Sequence, residues 1–352
     1  MRLAYAPYTL QFCQPAGTSR GVLLQKPTYF LKVFDEQAPD RFGLGEAALF
    51  PGLSPEADET YEYKLIELLA NVALGRPTDL SQHSSIQFGL EQALRDFTLG
   101  GHRIYAPSAF TSGHRSLIIN GLVWMGSLEE MTHRIKEKVE AGFRCIKLKI
   151  GALDWEEEEQ MIAKVRERFS TEQLEIRVDA NGGFPMEAAL PRLRWLAEMG
   201  IHSIEQPIPS GHHDLMAFLC ETSPLPIALD EELIGISDTQ KKEELLDCIK
   251  PAYIILKPAL CGGFSGAVEW IELAKKRGIG WWITSSLESN VGLNALAQFT
   301  AALDVEIPQG LGTGTLFTNN TPSPLILDGE NLRFDPTFIQ DDSWLDSLAW
   351  RE

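Results

Sequence analysis

Charged residues recur at the ends of short apolar runs through the middle of this chain, and that period constrains the fold more than any other feature. Lys147 and Lys149 sit at the end of CIKLKI, Asp179 closes LEIRVD, Glu205 closes IHSIE, Asp230 closes LPIALD and Lys257 closes YIILK. Successive members lie roughly 25–30 residues apart, about the length of one strand, one helix and two loops. Charges that terminate β-runs at this period mark the mouth of a parallel barrel, where catalytic residues gather.

The period has a clear start. Residues 1–110 read instead as a small α+β unit. MRLAYAPYTLQF, TSRGVLLQKPTYFLKVFD and DRFGLGEAALFPG form an antiparallel meander, followed by helices in SPEADETYEYKLIELLANVAL and SSIQFGLEQALRDFTLG. From about Ser116 strands and helices alternate. SLIING is the first buried run, and SLEEMTHRIKEKVEAG is an amphipathic helix with a Ser cap and a terminal Gly. CIKLKI, LEIRVD, IHSIE, LPIALD, YIILK, IGWWITSS and PQGLGTG follow, each preceded by a helical stretch. The count is eight, so the fold class is α/β: a modified (β/α)8, TIM-like barrel over residues 111–320. The segment 321–352 falls outside a closed barrel and is expected to complete the N-terminal unit.

Composition narrows the function classes. The 352 residues carry a formal net charge of −18, which argues against nucleic acid as a partner, since such binding draws on clustered Lys and Arg. No apolar run reaches the ~20 residues a membrane helix needs, and the first residues lack a signal-peptide pattern. Cys13, Cys145, Cys220, Cys248 and Cys261 form no C-x-x-C pair, which suits the cytoplasm. Cys145 and Cys261 lie beside the lysine-bearing strand ends and read as inert core thiols. Nothing in the chain fixes an oligomeric state.

Lys147 and Lys149, two apart on one strand, point to the same face. Each ammonium disfavours the other, so one can lose its proton nearer neutrality and serve as a base. Asp179, Glu205 and Asp230 end consecutive strands about 4.8 Å apart and can converge on one cation. Three hard oxygen donors without His or Cys favour Mg²⁺ or Mn²⁺. Glu231 and Asn181 are read as supports behind that cage. Lys257, three strands beyond Asp179, lies roughly across the mouth from Lys149. Ser285, Ser286 and Glu288 follow the seventh strand, and the two serines can offer hydroxyls to a small carboxylate substrate. CGGFSG and GLGTG, which includes Gly312, lack a nucleotide fingerprint and read as places where backbone approaches a ligand. His212 and His213 read as an exposed loop.

With K-x-K at 147–149, R-x-D-x-N at 177–181, E-Q-P at 205–207, D-E at 230–231 and Lys257-Pro258, the chain resembles the enolase superfamily, and more narrowly its muconate-lactonizing subgroup. The resemblance implies an α+β capping domain over the barrel and abstraction of a proton α to a carboxylate, with Mg²⁺ stabilising the enediolate. The TSRGVL turn at 18–23, GLGEAALFPGLS at 43–54, SIQFGLEQAL at 85–94 and GLGTGTLF at 310–317 are similar to the branch that dehydrates a cyclohexadiene carboxylate to o-succinylbenzoate in menaquinone synthesis. By that resemblance Lys149 removes the proton, Lys147 tunes it, and Lys257 stabilises the enolate from the opposite face. Racemases of N-acyl amino acids and dipeptide epimerases in the same subgroup use the same lysines. The epimerases carry an acidic Asp-x-Asp after the eighth strand, where this chain has Gly312-Thr313-Gly314, a neutral lining suited to a dianionic substrate.

Overall fold

The computed structural model describes residues 1–18, 21–151 and 153–352; Ser19 and Arg20 of the TSRGVL turn lie outside it. The N-terminal meander forms as expected: β1 (Arg2–Thr18), β2 (Gly21–Asp35) and β3 (Ala38–Ala47) make one antiparallel sheet. Two helices follow, α1 (Tyr61–Ala73) and α2 (Ser84–Thr98).

An exposed β3 would leave a row of unpaired backbone donors. Instead α2 covers it: Asp96 accepts from Leu44 N at 2.9 Å and Gln92 from Glu46 N at 3.2 Å. Gly43, Gly45 and Gly89 make this approach possible. A Cβ on Gly45 would lie 2.1 Å from the Gly89 carbonyl oxygen, and one on Gly89 2.7 Å from Ala47 N.

The barrel departs from the sequence expectation at its first strand. SLIING does not enter as one run. Its start, β4 (Leu117–Ile118), pairs antiparallel with a C-terminal strand, and the barrel sheet begins three residues later at β5 (Gly121–Val123). The alternation of buried and polar residues breaks at Asn120, so one apolar run serves two sheets. Then come α3 (Leu128–Glu140), β6 (Cys145–Lys149), α4 (Trp155–Arg168), β7 (Glu175–Asp179), α5 (Met186–Glu198), β8 (Ser203–Glu205), α6 (His213–Thr222), β9 (Ile227–Leu229), α7 (Thr239–Ile249), β10 (Tyr253–Leu256), α8 (Gly263–Lys276), β11 (Gly280–Ile283) and α9 (Asn290–Ala302). Ser127 caps α3 through a reciprocal pair with Glu130, as the sequence implies.

Among the described residues the parallel sheet has seven strands, β5 to β11. The eighth position is only Gln309 and Gly310, which bridge Ile119 on one side and Thr284 on the other. Short as it is, this segment closes the ring. Gln309 N donates to Ile118 O at 2.9 Å, and Gly310 N to Ile283 O at 2.8 Å. A Cβ on Gly310 would sit 2.2 Å from Thr284 Oγ1, so the closure depends on glycine. Inside, the Arg177 guanidinium lies 4.5 Å from the Trp282 ring centroid, and Ala228, Ile255 and Trp282 pack together below the mouth.

The last segment adds the hairpin β12 (Leu325–Asp328) and β13 (Asn331–Phe334), with β13 holding β4. Beyond it the chain returns to the N-terminal sheet. Trp344 packs edge-on to Phe30 at 5.0 Å, Asp342 accepts from Arg103 at 2.9 Å, and Arg351 bridges Tyr5. No helix among the described residues is long and apolar enough to cross a membrane.

Gly45→Ala is predicted to destabilise the fold by about 1–3 kcal/mol, seen as an earlier melting transition. An unshifted transition contradicts the contact between α2 and β3.

Candidate active site

Strand register builds the site. Lys149 lies opposite Asp179 between β6 and β7, and Asp179 opposite Glu205 between β7 and β8. Lys149, Asp179 and Glu205 therefore form one layer at the carboxyl edge of the barrel. Asp230 follows β9 directly and Lys257 follows β10. Below this layer the strands are mostly apolar and fill the barrel, with Arg177 held inside by Glu175 and the Pro308 carbonyl.

All six groups are buried, from 0% exposed for Asp179 to 9% for Lys257. Lys149 Nζ donates to Asp179 Oδ2 at 2.5 Å and to Asn181 Oδ1 at 2.9 Å. Lys147 donates to Glu205 and lies 2.8 Å from the same Asp179 oxygen, while Lys257 donates to Asp230. Asn181 N donates to Asp179 Oδ1 at 2.9 Å and its amide to Glu231 at 3.1 Å. The supports read from sequence thus brace the acid and base rather than a separate layer. Asn181 takes a left-handed φ of 45°, one of the strained backbones that gather at functional sites.

These charges shift one another in opposite directions. Burial lowers the Lys149 ammonium below the ordinary lysine range, and the Lys147 cation adds to the effect. Burial also acts against Lys147 and Lys257. There the paired carboxylates outweigh it, Asp179 and Glu205 for Lys147 and chiefly Asp230 for Lys257, so both rise. Asp179 is held well below the carboxylate range because Lys147 and Lys149 overcome its burial. Glu205 goes the other way: burial and the neighbouring Asp179 push it well above. Lys149 thus shifts opposite to its two lysine neighbours.

Among the described residues no group of three or more His, Cys, Asp or Glu stands in metal-binding geometry, since the acids hold amines. The donor set nonetheless suits a hard divalent ion. Asp179, Glu205 and Asp230 supply carboxylate oxygens alone, and Glu205 Oε1 is buried with no hydrogen-bond partner among the described residues. Glu205, pushed toward its neutral form by burial and the neighbouring Asp179, has Lys147 on one oxygen and leaves the other open to a cation.

A cavity opens above the layer, and Lys147, Lys149, Asn181 and Lys257 line its floor. Phe50 and Leu53 from the N-terminal unit, with Leu122, Trp124 and Leu287, form apolar walls. Ser285 and Gly312 also line it, as do Asn120, Thr284 and Thr313. The strand-end period does not flag Asn120, Thr284 or Thr313, because an uncharged residue at a strand end resembles any turn. Phe50 and Leu53 reach the site only through the packing of the two units. Ser286 is 1% exposed and not among the lining residues; its hydroxyl donates to Glu288 at 2.7 Å. Ser285 donates to the other Glu288 oxygen at 2.5 Å and accepts from Thr313 at 2.8 Å. Glu288 thus accepts from both serines, and with Thr313 and Leu287 N donating to it the Ser285 hydroxyl is fully engaged within the protein. His213 stands at the start of α6, 3.2 Å from Glu232 and away from the site. Cys145 and Cys261 are buried, and burial pushes the Cys261 thiol up to about 12.

The barrel, its N-terminal cap and the lysine–carboxylate layer define an enolase-type enzyme: residues 130–321 match the model of the enolase C-terminal domain-like family, and the chain belongs to it. The o-succinylbenzoate synthase of Desulfotalea psychrophila is 45% identical over 94% of this chain and 98% of that protein. A crystal structure of MenC from the same organism superposes with a TM-score of 0.85 at 41% identity, covering 95% of this chain and 99% of that one. A substrate-liganded L-Ala-D/L-Glu epimerase from Bacillus subtilis shares the fold, with a TM-score of 0.80 at 20% identity over 95% of this chain and 96% of that one.

Asp179→Asn, Glu205→Gln and Asp230→Asn are each predicted to weaken Mg²⁺ binding by about tenfold or more, since ligand charge sets affinity at hard-oxygen sites. Calorimetric titration checks this, and an unchanged isotherm for any of the three removes that residue from the cage.

Proposed function

We propose that this chain is an o-succinylbenzoate synthase, dehydrating 2-succinyl-6-hydroxy-2,4-cyclohexadiene-1-carboxylate to o-succinylbenzoate in menaquinone synthesis. The observation that carries the reading is one cavity lined by Lys149 and Lys257, each paired to an acid of a three-carboxylate layer. The likeness to the Desulfotalea synthase along nearly the whole chain supports it.

Lys149 takes the ring proton α to the carboxylate; burial lowers its pKa, which favours the amine form a base requires. Lys147 remains charged beside it and keeps that pKa depressed. As negative charge spreads into the ring, the Lys257 ammonium, anchored by Asp230, stabilises it from the other side. Lys149 then carries the proton that the departing 6-hydroxyl takes, so one base serves both halves of the elimination. Asp179, Glu205 and Asp230 would hold Mg²⁺, which supplies positive charge to the substrate carboxylate oxygens. The apolar walls exclude water and suit the hydrocarbon ring. Loss of water yields an aromatic product, so the step needs no redox cofactor.

The same reading divides the chain into a cap, residues 1–110 completed by 321–352, and a barrel of residues 111–320. Five free cysteines fit a cytoplasmic enzyme. Gly312-Thr313-Gly314 offers no acid to hold a substrate ammonium, which disfavours epimerisation of dipeptides.

Lys149→Ala is predicted to lower kcat by about 10²–10⁴-fold while Mg²⁺ still binds. Loss of the diene absorbance reports turnover, and near-wild-type rates rule Lys149 out as the base. Lys257→Met is predicted to slow kcat with KM little changed, because its cation acts on developing charge. A pure KM effect contradicts that role.

A further inference from the structure

We propose that Lys26 is a positioning residue for this reaction: its buried ammonium is the counter-charge that holds Glu46 and Glu288 together, fixing the loop that presents Ser285 and Leu287 to the cavity. The inference rests on the function proposed above for its kinetic consequence, though not for its structural one.

Lys26 shares a face of β2 with Thr28 and Phe30 by strand alternation. It is 2% exposed, and its Nζ has no hydrogen-bond partner among the described residues. A buried cation without a partner calls for an explanation. Nζ lies 5.8 Å from the centroid of Phe50, whose ring lines the cavity.

Thr28, next along this face of β2, reaches the first of two buried acids. Glu46, on β3, accepts from Thr28 Oγ1 at 2.8 Å, Ser289 N at 2.9 Å, Ser289 Oγ at 2.5 Å and Gly292 N at 2.9 Å. Glu288 accepts from Ser285, Ser286 and the Ser286 N–H. Gly292 lets the two meet: a Cβ there would lie 2.7 Å from Glu46 Oε2 and 2.8 Å from Glu288 Cβ. Burial lowers the Lys26 ammonium, and Glu46 and then Glu288 act against that burial. In so dry a place a cation acts on both without touching either.

Between these anchors lies Leu287, a cavity-wall residue with φ of 63°. A branched residue keeps that conformation only where its surroundings hold it. Leu287 N donates to Ser285 Oγ at 2.9 Å, and Ser285 in turn donates to Glu288. The cap therefore sets the cavity wall through a chain running from Lys26 to the two acids, to Ser285 and to Leu287. Lys149 and Lys257, on other strands, are not part of it.

The test compares Lys26→Met, Lys26→Arg, Glu288→Gln and the Lys26→Met/Glu288→Gln double variant in the full-length Mg²⁺ enzyme. Lys26→Met is expected to raise KM by about tenfold or more with kcat within about threefold, and Lys26→Arg to recover most of the loss. The double variant is expected to be no worse than Glu288→Gln alone, since a neutral partner needs no counter-charge. An unchanged KM, a loss confined to kcat, or penalties that multiply in the double variant overturn the proposal. Should Lys26→Met fail to fold, restored folding in the double variant upholds it and continued failure refutes it. A wild type that leaves the cyclohexadiene substrate untouched sinks the proposed function alone. The inference is then read from the crystal structure of Lys26→Met: Leu287 leaving its left-handed conformation supports it, and Leu287 unmoved refutes it.

Discussion

Six ionisable groups packed into one dry layer are the constraint around which the rest of this structure is arranged. Taking a charge out of water costs several kcal/mol per ion unless partners stand in contact. Here Asp179 is shared by Lys147 and Lys149, Glu205 is held by Lys147, and Asp230 by Lys257. Only rigid neighbouring strands in fixed register can place such groups together without letting them relax into solvent. The barrel supplies that rigidity, and the pairing of Lys149 with Asp179 and of Asp179 with Glu205 follows from its parallel ladder.

The same crowding separates the roles of chemically identical side chains. Three lysines stand within one cavity, yet burial wins at Lys149 while carboxylates win at Lys147 and Lys257. Position alone thus sets one lysine apart from two chemically identical ones. The acids divide likewise: Asp179 is saturated by amines, whereas Glu205 retains an oxygen without a partner. That unevenness suits a site in which a divalent ion takes over work that lysines perform in its place.

Much of this was legible in the sequence because charges at strand ends contradict the apolar runs before them, and the contradiction recurs with the barrel's own period. K-x-K on one strand face and acids on three consecutive strands give the floor of the site residue by residue. The walls were not legible. SLIING reads as one strand, but Asn120 divides it between two sheets, a choice made by the distant hairpin that β4 joins. Ser285 and Ser286 read as hydroxyl donors, yet both protons go to Glu288, which hydrogen-bond geometry reveals and residue type does not. Lys26 and Glu46 carry no local signal. Their meaning comes from a cap sheet lying on a loop some 240 residues away (Glu46 to Ser289 spans 243 positions).

The cap accordingly does more than cover the barrel. Phe50 and Leu53 give the cavity its apolar lid, and Glu46 ties β3 to the start of α9. The central claim is that the acid layer, relieved of its lysines, grips a divalent ion while two amines flank whatever the ion holds. A crystal structure with Mg²⁺ and o-succinylbenzoate tests this most directly. The account predicts the ion about 2.0–2.1 Å from oxygens of Asp179, Glu205 and Asp230, with the Lys149 and Lys257 amines on opposite faces of the product ring. An ion bound elsewhere, or both amines on one face, would contradict it.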